Sequence, residues 1–417
     1  MHRDIVAMEA LLPQALRLFV GSALSPVESK RDLPDLAGLG SPTVFSLCPS
    51  RKLRNMLRHQ GYTDVHSFVI VPSRNMPRWL LPAGDHCGML AGTRMYQPHK
   101  WAPRAIKKAL IGMMKMGWNG GWCSKVLIAS TDKLALETLV LTVTGEAQPV
   151  FAMSLGRQAA VRKLTVQVMR PSGDILGYVK LPLTDAAIER VRNEARIVEQ
   201  LWSFPTLRPH IPRVLYSGNW NGTYLVFQSP LEGERGPVIF NSMHEGFLRA
   251  LWDVHGAEIP GQAVINAVAA KWERAVRHLG REWEEIGEEL LRRSTHDLQR
   301  KTLRCGVMHG DLAPWNTRVR QEQLLLFDWE SADWQAPNSW DIFHFQVRSS
   351  YFLHKHEGLQ IPKREASDES SFMLYALSSV CQLVEEENPK GIDLHKKLLV
   401  RAFQQKQAWL EDPVSAI

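Results

Sequence analysis

The sequence predicts an α+β protein in two lobes, preceded by an additional α/β N-terminal region. Short β-rich runs crowd residues 148–228, whereas long helical periodicities dominate beyond Pro230. Strands first and helices after is the α+β order. A length of 417 residues, with 45% hydrophobic and 22% charged, is that of an ordinary globular chain of two or three domains. The charge is uneven. Residues 1–147 hold 18 Lys/Arg against 10 Asp/Glu and the remainder 32 against 33, so the net +7 sits in the first third. These shifts divide the chain into a basic accessory region (1–147), a strand-rich lobe (148–231) and a helical lobe (232–417).

Taken in order, an apolar-periodic helix spans about Ala7–Val20 and leads into a Ser/Pro/Gly/Asp loop. β-rich runs at Thr43–Leu47 and Ser67–Val71 flank a basic helix, Arg51–Gln60, closed by Gly61. Pro72–Pro82 is punctuated by prolines and is expected to be irregular. Residues 105–116 read as a basic amphipathic helix. Arg104, Lys107, Lys108 and Lys115 lie near one face and Ile106, Leu110, Met113 and Met114 broadly opposite, with the Gly-rich tract 117–122 ending it. The plain reading is a packed surface helix. The sharper one is a membrane surface as partner for the basic residues 104–116, with nucleic acid disfavoured.

Three strands follow, at Pro149–Ser154, Lys163–Arg170 and Leu176–Leu181, the last two joined by the turn-forming Pro171–Asp174. The helix Asp185–Trp202 can be capped by Thr184 or Asp185. A strand pair brackets Ser217–Thr223 and ends in Tyr224–Phe227. Helices are expected at Asn241–Val254, Gln262–Leu279, Glu282–Arg300, Ser370–Glu387 and Leu394–Leu410, with Glu282–Glu289 a solvated face. No window of 18 apolar residues occurs, and the N-terminus is a poor secretory signal. Five cysteines without a CxxC pair argue against a disulfide scaffold or zinc module and for a reducing cytoplasm, with a peripheral place at the inner membrane face left open.

Chemistry concentrates in residues 307–330. Two strand-like runs, Thr317–Val319 and Leu324–Phe327, flank a polar turn. His309, Asp311 and Asn316 precede the hairpin; Asp328 and Glu330 follow it. A hairpin of this length returns its ends to each other, so Asn316 and Asp328 can share one metal ion, and hard oxygen ligands suit Mg²⁺.

His309-Gly310-Asp311, four residues, Asn316, and twelve residues later Asp328-Trp329-Glu330 together resemble the signature of the aminoglycoside phosphotransferase/choline kinase family, small-molecule kinases with a protein-kinase-like fold. Protein kinases carry a related H-R-D loop and D-F-G element. Gly310 in place of Arg, and Trp329-Glu330 in place of Phe-Gly, favour the small-molecule branch. The resemblance covers roughly residues 148–417. It implies ATP and Mg²⁺ as cofactors and an alcohol group as phosphoryl acceptor.

The resemblance implies roles residue by residue. Asp311 is the catalytic base, and His309, also in the catalytic set, supports the loop by hydrogen bonding. Asn316 and Asp328 hold the metal, with Glu330 a direct ligand or a partner of one. Lys180 in Gly177-Tyr178-Val179-Lys180-Leu181 grips the nucleotide phosphates, and Glu194, fourteen residues on, steadies it. Gly156 stands in the phosphate loop, where a single glycine replaces G-x-G-x-x-G. Gln228 and Ser229 lie in the adenine-binding connector, Phe227–Glu232. Trp340-Asp341-Ile342-Phe343 matches the family's later aspartate. Residues 61–82 are faintly similar to the closing strands of SAM-dependent methyltransferases found beside glycan-pathway enzymes, without a glycine-rich SAM loop; this points to a sugar or glycolipid-pathway acceptor. Two alternatives stay open: a non-catalytic, nucleotide-binding relative acting through its N-terminal region, and an aminoglycoside phosphotransferase.

Overall fold

A computed structural model of the chain describes residues 2–21, 25–26, 42–47, 49–73, 75–118, 123–156, 159–353 and 366–399, without the side chains of 2–10, 64, 351–353 and 366–368. The expected helix Leu394–Leu410 is thus described only to residue 399, and residues 119–122 of the Gly-rich tract lie outside. Two compact units form. Residues Met1–Ser203 with Ile211–Glu232 make the first, and Phe204–His210 with Gly233–Ile417 the second. The boundary expected between 231 and 232 falls beside this division. That expected between 147 and 148 lies inside the first unit.

The first unit is built on one ten-stranded sheet. Its strands are β1 (Ser25–Pro26), β2 (Thr43–Leu47), β3 (Asp64–Ser73), β4 (Met76–Pro82), β5 (Lys125–Ser130), β6 (Val150–Ser154), β7 (Lys163–Met169), β8 (Ile175–Pro182), β9 (Val214–Trp220) and β10 (Thr223–Gln228), in spatial order β1-β2-β5-β3-β4-β6-β7-β8-β10-β9. Among the described residues only β1–β2 is parallel. The accessory strands meet the later ones at a short ladder, Trp79↔Ser154 and Leu80↔Met153.

The strand β4 corrects the expectation that Pro72–Pro82 is irregular. Pro72 pairs with Pro77 beside a bulge at the hairpin turn, Pro77 precedes the first rung to β6, and Pro82 ends the strand. Each proline stands where the ladder asks for no N–H.

Helix α1 (His2–Val20) lays Leu11, Leu12, Ala15, Leu16, Phe19 and Val20 into a core shared by strands from before and after residue 147. The Phe19 ring lies 6.0 Å from Phe68 on β3 and 5.1 Å from Phe151 on β6, both edge-on. The accessory region therefore completes this core and does not stand beside it.

Helix α2 (Arg51–His59), capped by Ser50, covers β2 and β5 through Leu53 and Leu57. On a further cluster α3 (His86–Gly92) and α4 (Trp101–Lys115) pack through Met89, Ala91 and Met114 against Val69, Leu81, Ala152 and Met169. The faces of α4 differ from the expectation. Met114 and part of Leu110 turn inward, Lys107 donates to the Tyr96 carbonyl at 2.6 Å, and Ile106 stands exposed. Helix α5 (Ala135–Thr144), absent from the sequence expectation, adds Leu136 and Val140 to the main core.

The second unit is mostly helical. Helices α7 (Ser242–Val254), α8 (Gly261–Ala275), α9 (Arg281–Leu298), α10 (Trp340–Leu353) and α11 (Ala366–Glu385) follow α6 (Asp185–Trp202) of the first unit. Two small sheets accompany them. One is β11 (Glu234–Arg235), β14 (Thr317–Arg320) and β15 (Gln323–Leu326); the other is β12 (Ala257–Pro260), β13 (Thr302–Met308) and β16 (Asp333–Pro337). Trp272, Trp283, Trp340, Phe343, Phe372 and Tyr375 fill the core around α8, α9, α10 and α11. Glu282, Glu284, Glu285 and Glu288 point outward while Trp283, Gly287 and Leu290 point in, the solvated face expected of that run.

Candidate active site

In the first unit the inward stripe of α6 reads Ala187, Val191, Glu194, Ala195, Val198 and Leu201. Thr184 caps its first turn, its hydroxyl accepting from Ala187 N at 3.3 Å. Glu194 thus stands where a helix of this pattern buries an aliphatic side chain. A buried carboxylate needs a partner, and Lys180, on β8 between Thr165 and Val226, is it: Lys180 Nζ donates to Glu194 Oε1, with both side chains buried. Glu194 Oε2 has no hydrogen-bond partner among the described residues.

Gly156 closes β6 at φ +66°, and Arg162 donates to the carbonyls of Leu155 (2.7 Å) and Gly156 (3.4 Å), tying that turn from below. Burial, helped by nearby Arg78, lowers the Arg162 pKa to about 10. Gln228 ends β10 buried, with Nε2 unpaired among the described residues. Ser229 is engaged by Arg213: its N–H donates to the Arg213 carbonyl (2.8 Å) and its hydroxyl accepts from Arg213 N (2.9 Å). Its amide is therefore spent on the residue that precedes β9.

In the second unit β13 leads into the loop that carries His309, Asp311 and Asn316. Gly310 adopts φ +78°, and a Cβ there would meet the Ser331 carbonyl oxygen at 2.1 Å. Left-handed backbone and lack of space together require glycine. Asp341, in the first turn of α10, accepts from His309 N at 2.7 Å and from Gly310 N at 3.0 Å, pinning the loop by its main chain. Burial raises the Asp341 pKa to about 6, against the lowering pull of those two N–H groups.

His309 is fully buried against the Trp329 ring, 4.6 Å between centroids. Its Nδ1 accepts from Asp311 N (3.2 Å) and its Nε2 lies 3.2 Å from the Phe327 carbonyl. The tautomer that satisfies both carries its proton on Nε2. Burial pushes its pKa down to about 4, so the ring is a neutral brace joining the Asp311 loop to the Asp328 segment.

Asp311 keeps 29% of its side chain exposed. Its Oδ2 accepts from Asn316 Nδ2 at 2.8 Å, and the same amide donates to the Asp311 carbonyl at 2.9 Å. Its Oδ1 lies 3.0 Å from His344 Nε2 and 4.0 Å from Arg348 Nε. Tyr375 Oη lies 3.2 Å from His344 Nδ1. Burial raises the Tyr375 pKa to about 12. Arg348 Nε donates to the same His344 Nε2 at 3.1 Å, so this nitrogen meets both Arg348 and Asp311. Burial raises the Asp311 pKa and is outweighed by the His344 hydrogen bond and the Arg348 charge, so the carboxyl sits below its usual range.

The hairpin β14–β15 turns through Gln321 and Glu322, both at positive φ, the two-residue turn that matches strand twist. Register Thr317↔Leu326, with Phe327 N donating to the Asn316 carbonyl at 3.2 Å, brings Asn316 and the start of the Asp328 segment to one end. Asp328 itself adopts φ +73°, ψ +57°, a left-handed conformation that aspartate tolerates better than most residues. With its nitrogen on Asp311, Asn316 could offer a cation only its oxygen; Asp328 could add a carboxylate, and half-buried Glu330 follows on a 3₁₀ turn. An all-oxygen donor set fits Mg²⁺.

The structure thus brings His309, Asp311, Asn316 and Asp328 into one hydrogen-bonded loop and hairpin, and pairs Lys180 with Glu194. His344, Arg348 and Tyr375 were not read from the sequence. His344 and Arg348 reach Asp311 from α10 and Tyr375 reaches His344 from α11, and only the spacing of three and seven residues beyond Asp341, one helix face, carried any trace of the first two.

No protein-family model matches the chain, and no curated protein sequence matches it. Among solved structures it is similar to the GDP complex of a mutant of aminoglycoside 2'-phosphotransferase-IIIa, at 13% identity over 66% of this chain and 98% of that chain, TM-score 0.45. It is similar also to a thermostable mutant of aminoglycoside phosphotransferase APH(4)-Ia (13%, 64% and 98%, TM-score 0.43) and to the streptomycin–ATP complex of APH(2")-IIa (12%, 65% and 97%, TM-score 0.41).

Proposed function

We propose that the chain is an ATP- and Mg²⁺-dependent phosphotransferase acting on a hydroxyl of a small molecule, a sugar or glycolipid-pathway intermediate. The observation that supports this most is Asp311, an ionised carboxylate braced through His309 and Asn316 to the hairpin that carries Asp328. A neutral histidine holding a loop together and a carboxylate kept ionised form an arrangement that a purely structural turn has no use for.

Phosphoryl transfer asks for alignment and charge neutralisation more than for covalent help. Asp311 orients the acceptor hydroxyl and takes its proton as that oxygen bonds to the γ-phosphorus and the bond to ADP breaks. Lys180, held by Glu194, grips the non-transferred phosphates. Asn316 and Asp328, with Glu330 beside them, would hold Mg²⁺, which when bound would supply neutralisation of the triphosphate charge. His309 positions Asp311 and Asp341 positions His309, neither exchanging a proton with substrate.

The acceptor class follows from charge. Arg348 places a cation 4.0 Å from the proposed base, whereas a polycationic aminoglycoside calls for acidic surroundings. This favours a neutral or anionic sugar over the kanamycin, hygromycin B and streptomycin named for the similar structures. The test is ATP turnover with Mg²⁺ over sugars, sugar phosphates, amino alcohols and aminoglycosides. Turnover with a sugar or sugar phosphate is expected. Turnover with aminoglycosides alone would overturn the acceptor class, and nucleotide binding without turnover would favour a non-catalytic binder.

A further inference from the structure

Of the seven large hydrophobic side chains exposed among the described residues, three belong to α4 and its C-cap: Trp101 (80% exposed), Ile106 (70%) and Met116 (82%). At 100° per residue, Trp101 and Met116 share one outward face with Ala105 and Ala109, and Ile106 borders it. Arg104, Lys108 and Lys115, all exposed, form a stripe along the other border. The opposite side, with Met114 and Leu110, is the one that packs on the protein.

The charge around this face is one-signed. From residue 86 to residue 131 the sequence has seven Lys/Arg and no Asp or Glu. The first turn of α4 likewise has no acid to offset its basic side chains.

We propose that this outward face of α4 docks on an anionic lipid surface. A bilayer interface takes both halves of the pattern: an indole and two aliphatic side chains enter the headgroup boundary, and the flanking cations meet anionic headgroups. Nucleic acid would reward the cations but not exposed Ile106 and Met116. A second copy of this chain would bring like-charged stripes together. The proposal is independent of the phosphotransferase reading. It also differs from what the sequence suggests, since the Leu110 and Met114 face is used internally and Trp101, Ile106 and Met116 do the inserting.

The experiment is co-sedimentation of the full chain, without nucleotide, with phosphatidylcholine vesicles and with vesicles containing about a third phosphatidylglycerol, at roughly 0.1 M and 0.5 M salt. Binding to the anionic vesicles only, weakened by salt, is expected. Arg104→Glu, Lys108→Glu and Lys115→Glu each cut the association constant about fivefold or more, and Trp101→Ala with Ile106→Asn weakens binding without altering the salt dependence. Absence of binding to anionic vesicles overturns the proposal, as does unchanged binding by the charge variants. Were Ile106→Asn instead to convert a dimer into a monomer in sedimentation, with no vesicle binding by either form, the face would belong to a second copy.

Discussion

Gly310 and His344 bear on the Asp311 carboxylate differently, one through the backbone of its loop and the other through a side-chain hydrogen bond. A Cβ at 310 has both a forbidden φ and the Ser331 carbonyl 2.1 Å away, so Gly310→Ala is expected to cost roughly 3 kcal/mol or more and to abolish turnover. Thermal melting against wild type checks this. His344 lowers the Asp311 pKa by hydrogen bonding. Its removal lets that pKa rise, so in His344→Ala the acid limb of kcat/KM shifts to higher pH, and His344→Gln, which keeps a donor, moves it back. A fall in turnover with the limb unmoved would assign His344 a packing role only. At this scale the sequence was informative for Asp311, Asn316 and Asp328, because a hairpin fixes what their spacing means. It was silent on His344, Arg348 and Tyr375, because contacts made across α10 and α11 leave no local pattern. Ser229 illustrates the converse, a residue in the expected connector whose amide the fold has spent on Arg213.

Among elements, β7 and β8, two β-rich runs joined by the turn-forming Pro171–Asp174, were legible to within a residue or so, as was α6 with its Thr184 cap. Strand β4 was not, since proline was read as a breaker where its position at a bulge, before a rung and at a strand end makes it harmless. Helix α4 was legible as a helix, but which apolar residues faced the protein depended on α3 and the sheet beneath it. Helix α1 bears most on stability, because Phe19 touches both Phe68 and Phe151. Phe19→Ala is expected to cost about 3–5 kcal/mol and to lower the melting of the whole first unit in one transition. A separate early transition for residues 1–147 would contradict the shared core.

Over the whole molecule, the basic first third looked like a separate module because composition changes at residue 147, yet composition does not report on cores, and α1 packs across that point. The second unit carries a pH signature of its own. His244, His309 and His395 have pKa values lowered by burial to about 4. Their folded pKa lies below the unfolded one, so the unfolded chain binds more protons between about pH 6.5 and pH 4, and stability falls as pH falls through that window, by about 1.4 kcal/mol per pH unit for each histidine at most. Asp341, raised by burial to about 6, works in the opposite sense between pH 6 and pH 4 and offsets about one of the three. Melting of the second unit followed from pH 7 to pH 4.5 is expected to drop steeply; a flat profile would contradict the buried neutral histidines. The proposed phosphoryl transfer turns on one carboxylate, and Asp311→Asn reads it directly: turnover of the best acceptor is expected to fall by roughly 10²–10⁴-fold, with ATP affinity measured by calorimetry kept within a few-fold. Full activity in Asp311→Asn, or loss of ATP binding equal to the loss of turnover, would contradict it.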